Sequence, residues 1–228
     1  MSEFRFSYPA CAIAGKDNLV PQDIAVLKDV ALPMGVQCEA DIVALLAINN
    51  SCRNKCPEWT GYFVDSIAAF LLKRLPPEGL VDDTKAGIVQ RLFSTRGLIR
   101  SAEELALVLA LLERSQVVPE NLAAFALDQL RLALQFRTGA YAETRPEGAL
   151  GITATDLHFV ERIISATLID EERISPIIAT VLEGIDSVSA APFNHPVWRD
   201  LMNLVNGVAP QRKVIAKRYT FSLSREAA

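Results

Sequence analysis

Three segments of this chain repeat the same order of helix-start signals, and that repetition restricts the fold more than any composition does. Leu19-Val-Pro-Gln-Asp23, Leu80-Val-Asp-Asp-Thr84 and Ile152-Thr-Ala-Thr-Asp156 each place an aliphatic residue ahead of helix-start residues. Thr and Asp oxygens satisfy free N–H groups at a helix start, and Pro has none to satisfy. After the third start, Leu157, Val160, Ile163 and Ile164 recur at helical spacing. A second helical stretch follows in each block: Glu39–Ser51, Glu104–Ser115 and Ser175–Ser187. The third stretch opens on proline in all three, at Pro57, Pro119 and Pro196. Pro57 and Pro119 are followed by Glu, which suits the positive end of the helix dipole. Trp59 and Trp198, the two tryptophans of the chain, both lie two residues past their proline, and Phe63 and Phe125 both lie six past theirs.

These signals predict an all-α fold, a nine-helix bundle of three related three-helix units. The units run over 19–75, 80–136 and 152–208, between an N-terminal extension (1–18) and a basic C-terminal tail (209–228). A repeat of about 60 residues is longer than the common solenoid units, which favours a compact bundle over an open spiral. Leu105 to Leu112 is apolar on every side, so its helix is expected at the centre. Residues 138–151, rich in Gly and polar groups, read as a mobile connection. Phe4–Tyr8 and Arg218–Ser224 alternate apolar and polar residues, a pattern for short terminal β-strands, with frayed tails as the alternative.

The bulk properties narrow the setting. The chain has 228 residues, half of them hydrophobic, and a net charge of −4. Such a balance gives no global attraction to nucleic acid or to an anionic membrane. The longest apolar run falls well short of the roughly 20 residues of a membrane span, and no secretory signal is read at the N-terminus. Cysteines at 11, 38, 52 and 56 do not form a disulfide framework, so a cytoplasmic location is expected.

The order of aliphatic residue, helix start, helix, and then Pro57-Glu58-Trp59 with Phe63-Val64 resembles a group of uncharacterised bacterial helical repeat proteins. Their units are similar to degenerate EF-hands and to the tellurite-resistance-like helical fold. The resemblance implies the fold and carries over no activity. An EF-hand loop needs oxygen ligands at its first, third and fifth positions, Gly at the sixth and Glu at the twelfth. The best frame puts Gly97 sixth, Ile99 eighth and Glu103 twelfth, but Leu92, Ser94 and Arg96 where the oxygens belong. Leu and Arg there exclude ordinary calcium binding.

Candidate chemistry is sparse. Cys52 and Cys56 could hold zinc with His195, which aligns with Cys56 across the repeat, but a closed site needs a fourth ligand from Cys38, Cys11 or a carboxylate. The simpler reading makes Cys56 and His195 residues at a helix start, so no metal and no cofactor are expected. A helix N-terminus would lower the thiol pKa of Cys56. His158 reads as a helix-surface residue and Asp170-Glu-Glu172 as a solvated turn. Phosphate-loop, serine-hydrolase and zinc-protease motifs are absent. From Arg212 onward the tail carries five basic residues against Glu226 alone, which would suit an acidic partner or nucleic acid, with a solvated tail as the simpler reading. The expected role is a non-catalytic interaction or regulatory protein, binding a protein partner or a second copy, with neither membrane nor nucleic acid as partner. The alternatives are a metal-binding or metal-stress protein and an enzyme whose site is assembled across units.

Overall fold

The computed structural model of the chain describes residues 8–167 and 174–207. The protein is all-α. Helices α1 (Tyr8–Ala14), α2 (Pro21–Val26), α3 (Glu39–Ser51) and α4 (Glu58–Ala69) come first, with π-helical turns, Leu27–Ala31 and Phe70–Arg74, extending α2 and α4. Then follow α5 (Asp83–Leu92), α6 (Ala102–Arg114), α7 (Glu120–Phe136), α8 (Ala140–Thr144), α9 (Ala154–Thr167), α10 (Pro176–Val188) and α11 (Pro196–Val205). Two short strands, β1 (Asn18–Leu19) and β2 (Asn54–Lys55), pair in parallel just ahead of α2 and α4. The segments read as terminal strands lie outside the described residues, except Tyr8, which begins α1.

Nine helices were expected, and eleven are present among the described residues. The two additions are α1 and α8. Ala10 and Ile13 of α1 are buried and the helix packs on α3, so tertiary contact holds a segment too short to be helical alone. The α8 segment corrects the reading of 138–151 as mobile. Gly139 turns the chain at φ +91°, where a Cβ would come within 2.6 Å of Leu98, and Ala140 and Tyr141 then enter the core.

Local geometry recurs along the chain. The helices α3, α6 and α10 are each 13 residues long, and each closes on an extended residue, Cys52, Ser115 or Ser189, with φ −80°. The chain ahead of each opening helix is tied to the chain ahead of the third: Cys56 N donates to Leu19 O (3.1 Å), Val81 N to Val117 O (3.2 Å) and His195 N to Ile152 O (2.8 Å). The middle block, however, sits one residue out of the frame expected from its proline. Pro119 is an extended N-cap (ψ 141°), whereas Pro57 already has helical angles and Pro196 is the first helical residue. Val81, not Leu80, is therefore the buried counterpart of Leu19 and Ile152. Leu122, not Asn121, takes the place of Trp59 and Trp198, and the fully buried Ala126, not Phe125, takes that of Phe63. Lacking an N–H, Pro119 cannot donate to Val81 as Cys56 donates to Leu19.

The core runs through the whole bundle. Helix α6 lies at its centre, against α4, α7, α8 and α9, and Leu107 to Leu112 are all buried. Trp59, Phe63, Ile67, Phe70 and Leu71 form one buried stripe, with Asp65 and Lys73 exposed off it. Phe63 meets Phe93 edge-on at 6.3 Å. Trp59 Nε1 donates to Asn49 Oδ1 (2.9 Å), and Asn49 Nδ2 donates to Ser101 Oγ (2.9 Å), the N-cap of α6. Trp198 Nε1 likewise donates to Asp186 Oδ1 (2.7 Å). Asn49 and Asp186 both lie two residues before the last residue of their helix, where α6 has the buried Leu112. At the far end, Asn203, Asn206 and Gly207 are exposed at the positions where α4 buries Val64, Ile67 and Ala68.

Candidate functional site

Each opening helix buries a charged residue at its third position: Asp23, Lys85 and Asp156. Asp23 accepts Lys16 Nζ (2.5 Å) and Val20 N (3.1 Å). Lys85 reverses the charge. Its Nζ donates to Pro77 O and Leu80 O, while Asp82 takes over the N-cap role by accepting from Lys85 N (2.9 Å). Burial holds the Lys85 ammonium below its usual range.

Asp156 sits in the densest polar cluster. Its Oδ1 accepts from Tyr141 OH (2.9 Å) and Arg145 Nε (3.1 Å), and its Oδ2 from Arg145 Nη2 (3.1 Å), Thr153 N (2.8 Å) and Thr153 Oγ1 (2.9 Å). Arg145 Nη2 also reaches Gly151 O (2.6 Å). The carboxylate is fully buried and the arginine side chain is 8 % exposed. Tyr141 stacks on Phe159 with ring centroids 4.1 Å apart. Burial first, and then the Asp156 charge, pushes the Tyr141 phenol far up. The cluster is a clasp that pins α8 and its following turn to the start of α9.

Beside the clasp opens a cleft of about 720 Å³, between the end of α7, the α8 turn and the end of α10. Its lining includes apolar Ala133, Leu134 and Val188 and charged Arg137, Glu143, Arg145 and Glu147. Arg137 caps α7 in the left-handed region (φ 53°), an uncommon conformation for a side-chain-bearing residue. Leu150 lines the mouth and is half exposed. The backbone of Phe193 lies against Gly151, where a Cβ would stand 2.4 Å from its carbonyl carbon, and the residue is 64 % exposed. A smaller cleft of about 450 Å³ lies between α2 and α4, where Lys28 Nζ stands 5.4 Å from the centre of the Tyr62 ring.

The candidate residues read from the sequence do not converge. Cys52 caps α3, is buried and points its thiol at Ile13 O (3.7 Å). Cys56 precedes α4, and burial followed by the Glu58 carboxylate pushes its thiol pKa up, against the lowering expected of a helix start. His195 caps α11, its Nδ1 accepting from Val197 N (3.3 Å). Among the described residues, no three His, Cys, Asp or Glu side chains are grouped to hold a metal, so Cys52, Cys56 and His195 are not brought together as ligands. His158 is exposed, 3.8 Å from Glu161. The loop framed on Gly97 turns through Arg96 (φ 55°) and Gly97 (φ 80°). A glutamine side chain holds it, Gln129 Oε1 accepting from Ile99 N (3.0 Å) and Nε2 donating to Gly97 O (2.8 Å). Glu103 pairs with Lys55 (3.4 Å). Asp170 to Glu172 and the basic tail lie outside the described residues.

Tyr141 and the pairing of Arg145 with Asp156 escaped the sequence reading because both residues fall in the segment taken for a connection, and the cleft escaped it because α7 and α10 also line it. The signal was Thr153-x-x-Asp156, a capping pair whose acid invites a buried partner. Among the described residues no helix is long and apolar enough to cross a membrane. No protein-family model, curated protein or solved structure matches this chain.

Proposed function

We propose that this chain is a non-catalytic helical interaction protein that receives a protein partner in the cleft between α7, α8 and α10. The observation that carries this reading is the cleft itself. It is open, lined in part by apolar residues and by the half-exposed Leu150, with the exposed Phe193 next to it in the fold. A concavity that combines apolar lining with a few polar groups is the default place to seek a binding surface. The clasp supports the reading, since it fixes the cleft wall in advance and so lowers the ordering cost of binding. In this reading the protein is cytoplasmic, in keeping with the free thiols of Cys38, Cys52 and Cys56. The three blocks are then copies of one unit, with the recurring 13-residue helices and their φ −80° closures as support.

Ala149→Trp would fill the cleft without touching the clasp. Wild-type and variant chains, used as bait in native extract, should differ by at least one retained protein, present with the wild type and lost with the variant. Identical retained sets from two equally folded baits would defeat the proposal.

A further inference from the structure

Two loops that meet on the surface hold arginines in a backbone conformation that arginine disfavours. Thr95 to Leu98 form a tight turn, Thr95 N donating to Leu98 O (3.0 Å) and Leu98 N to Thr95 O (3.1 Å). Its two central residues, Arg96 and Gly97, both have positive φ, as in turns that take Asn-Gly or Gly-Gly by preference. Arg137 closes α7 at φ 53°, a place where helices commonly carry glycine. Among the described residues, Arg96 and Arg137 are the non-glycine residues with positive φ. The two loops touch: a Cβ on Gly139 would lie 2.6 Å from Leu98, and Ala140 N donates to Ile99 O (2.9 Å). Arg96 and Arg100 each lie two residues from Leu98, and Arg137 two residues from Gly139, so each arginine starts within about 7 Å of that contact.

All three arginines are exposed, and among the described residues none meets a carboxylate, unlike Arg91 and Arg114, which pair with Glu39 and Asp65. Of the acids on these loops, Glu103 pairs with Lys55, and Glu104 is buried, accepting from Arg100 N and Ser101 N. Glu143 alone is exposed, against three arginines. The buried Gln129 fixes the Arg96 turn through Ile99 N and Gly97 O, so its guanidinium is presented from an ordered backbone. Residues held against their local preference by the surrounding structure point to use of the side chain so presented.

Three guanidinium forks on separate short stretches suit separate carboxylates, each able to take two N–H groups. A nucleic-acid strand would extend its charge over a molecule of net charge −4, whereas a short acidic segment meets the arginines alone. We infer that Arg96, Arg100 and Arg137 form a docking surface for an Asp- or Glu-rich segment of a partner protein. Arg137 also lines the cleft, but the inference needs only the two loops and goes beyond the cleft as a partner site.

The test uses the full chain at low salt with short labelled peptides alternating Glu and Ser, their Gln counterparts, and a thymidine oligonucleotide of equal charge, with binding read by fluorescence anisotropy. The Glu peptide should bind about tenfold more tightly than the Gln peptide and more tightly than the oligonucleotide, and added salt should weaken it. Arg96→Gly and Arg137→Gly remove a guanidinium where the backbone favours glycine. Each variant should therefore melt no lower than the wild type while losing about tenfold in affinity, the worth of a charge-assisted hydrogen bond. Equal binding of the Glu and Gln peptides, no binding of either, or affinity unchanged in both variants would overturn the inference. Tighter binding of the oligonucleotide, lost in the variants, would overturn the acidic segment and assign the arginines to a phosphate backbone.

Discussion

The outer blocks and the middle block solve the same packing problem with opposite chemistry. In the first and third, a tryptophan is buried at the start of the closing helix, and its indole N–H donates to Asn49 or Asp186 near the end of the helix before it. In the middle block both positions are leucine, Leu122 and Leu112, and both are buried. The donor and its acceptor are present together or replaced together, as the cost of an orphaned buried N–H requires. The buried charge follows the same division. Asp23 and Asp156 are each met by a cation from the preceding chain, whereas Lys85 reaches backbone carbonyls. The middle block lies between the other two and can rely on apolar contact, while the outer blocks use polar bonds to fix their geometry.

The largest effect that would test this division is at the tryptophans. Trp59→Ala should cost about 3–5 kcal/mol by thermal or urea unfolding, because the ring is fully buried and a cavity remains. Trp198→Ala should cost a similar amount, and an unchanged melting temperature for either would remove that tryptophan from the core. Next come the two acid–base pairs. Arg145→Ala should cost about 3–5 kcal/mol by stranding a buried carboxylate. Lys16→Ala should cost only about 0–1 kcal/mol, since that lysine side chain is 48 % exposed. Equal losses at the two sites would mean that Asp23 depends on its cation as fully as Asp156 does.

The acceptors should separate more finely. Asn49→Ala leaves a buried indole N–H and the Ser101 contact unmade, a loss of about 1–3 kcal/mol. Asp186 is exposed, so water can replace it and Asp186→Ala should cost less. The reverse order would show that charge on the acceptor outweighs burial.

The smallest effect is a slope with pH. Burial and Asp156 hold the Tyr141 phenol above its ordinary value, so the folded chain keeps a proton that the unfolded chain loses above about pH 10. This stabilisation is fully present below that pH and falls away as pH rises past it. Tyr141→Phe should cost about 1 kcal/mol at neutral pH and flatten the alkaline decline in melting temperature. A decline as steep as in the wild type would assign it to other groups.

Much of the fold was legible because helix starts are written in local chemistry. Pro57, Pro119 and Pro196 each stand at the start of a closing helix, and the all-apolar run at Leu105 to Leu112 did mark the centre. The one-residue shift of the middle block was not legible, since proline fits both the N-cap and the first helical turn, and only backbone angles separate the two. The α8 turn was misread for a different reason. Tyr141 and Arg145 stand among Gly, Thr and Glu, and what orders them is a carboxylate 11 and 15 residues further along. Such pairing leaves no periodicity to read. The cleft was invisible on the same grounds, because helix ends from separate blocks frame it.

The exposed face of α11 bears on how chains of this kind could associate. A helix approaching that face would meet exposed Asn203, Asn206 and Gly207, where α4 offers Val64, Ile67 and Ala68 to its surroundings. Writing Val, Ile and Ala into those three positions should make this face sticky, and sedimentation velocity would register the added association.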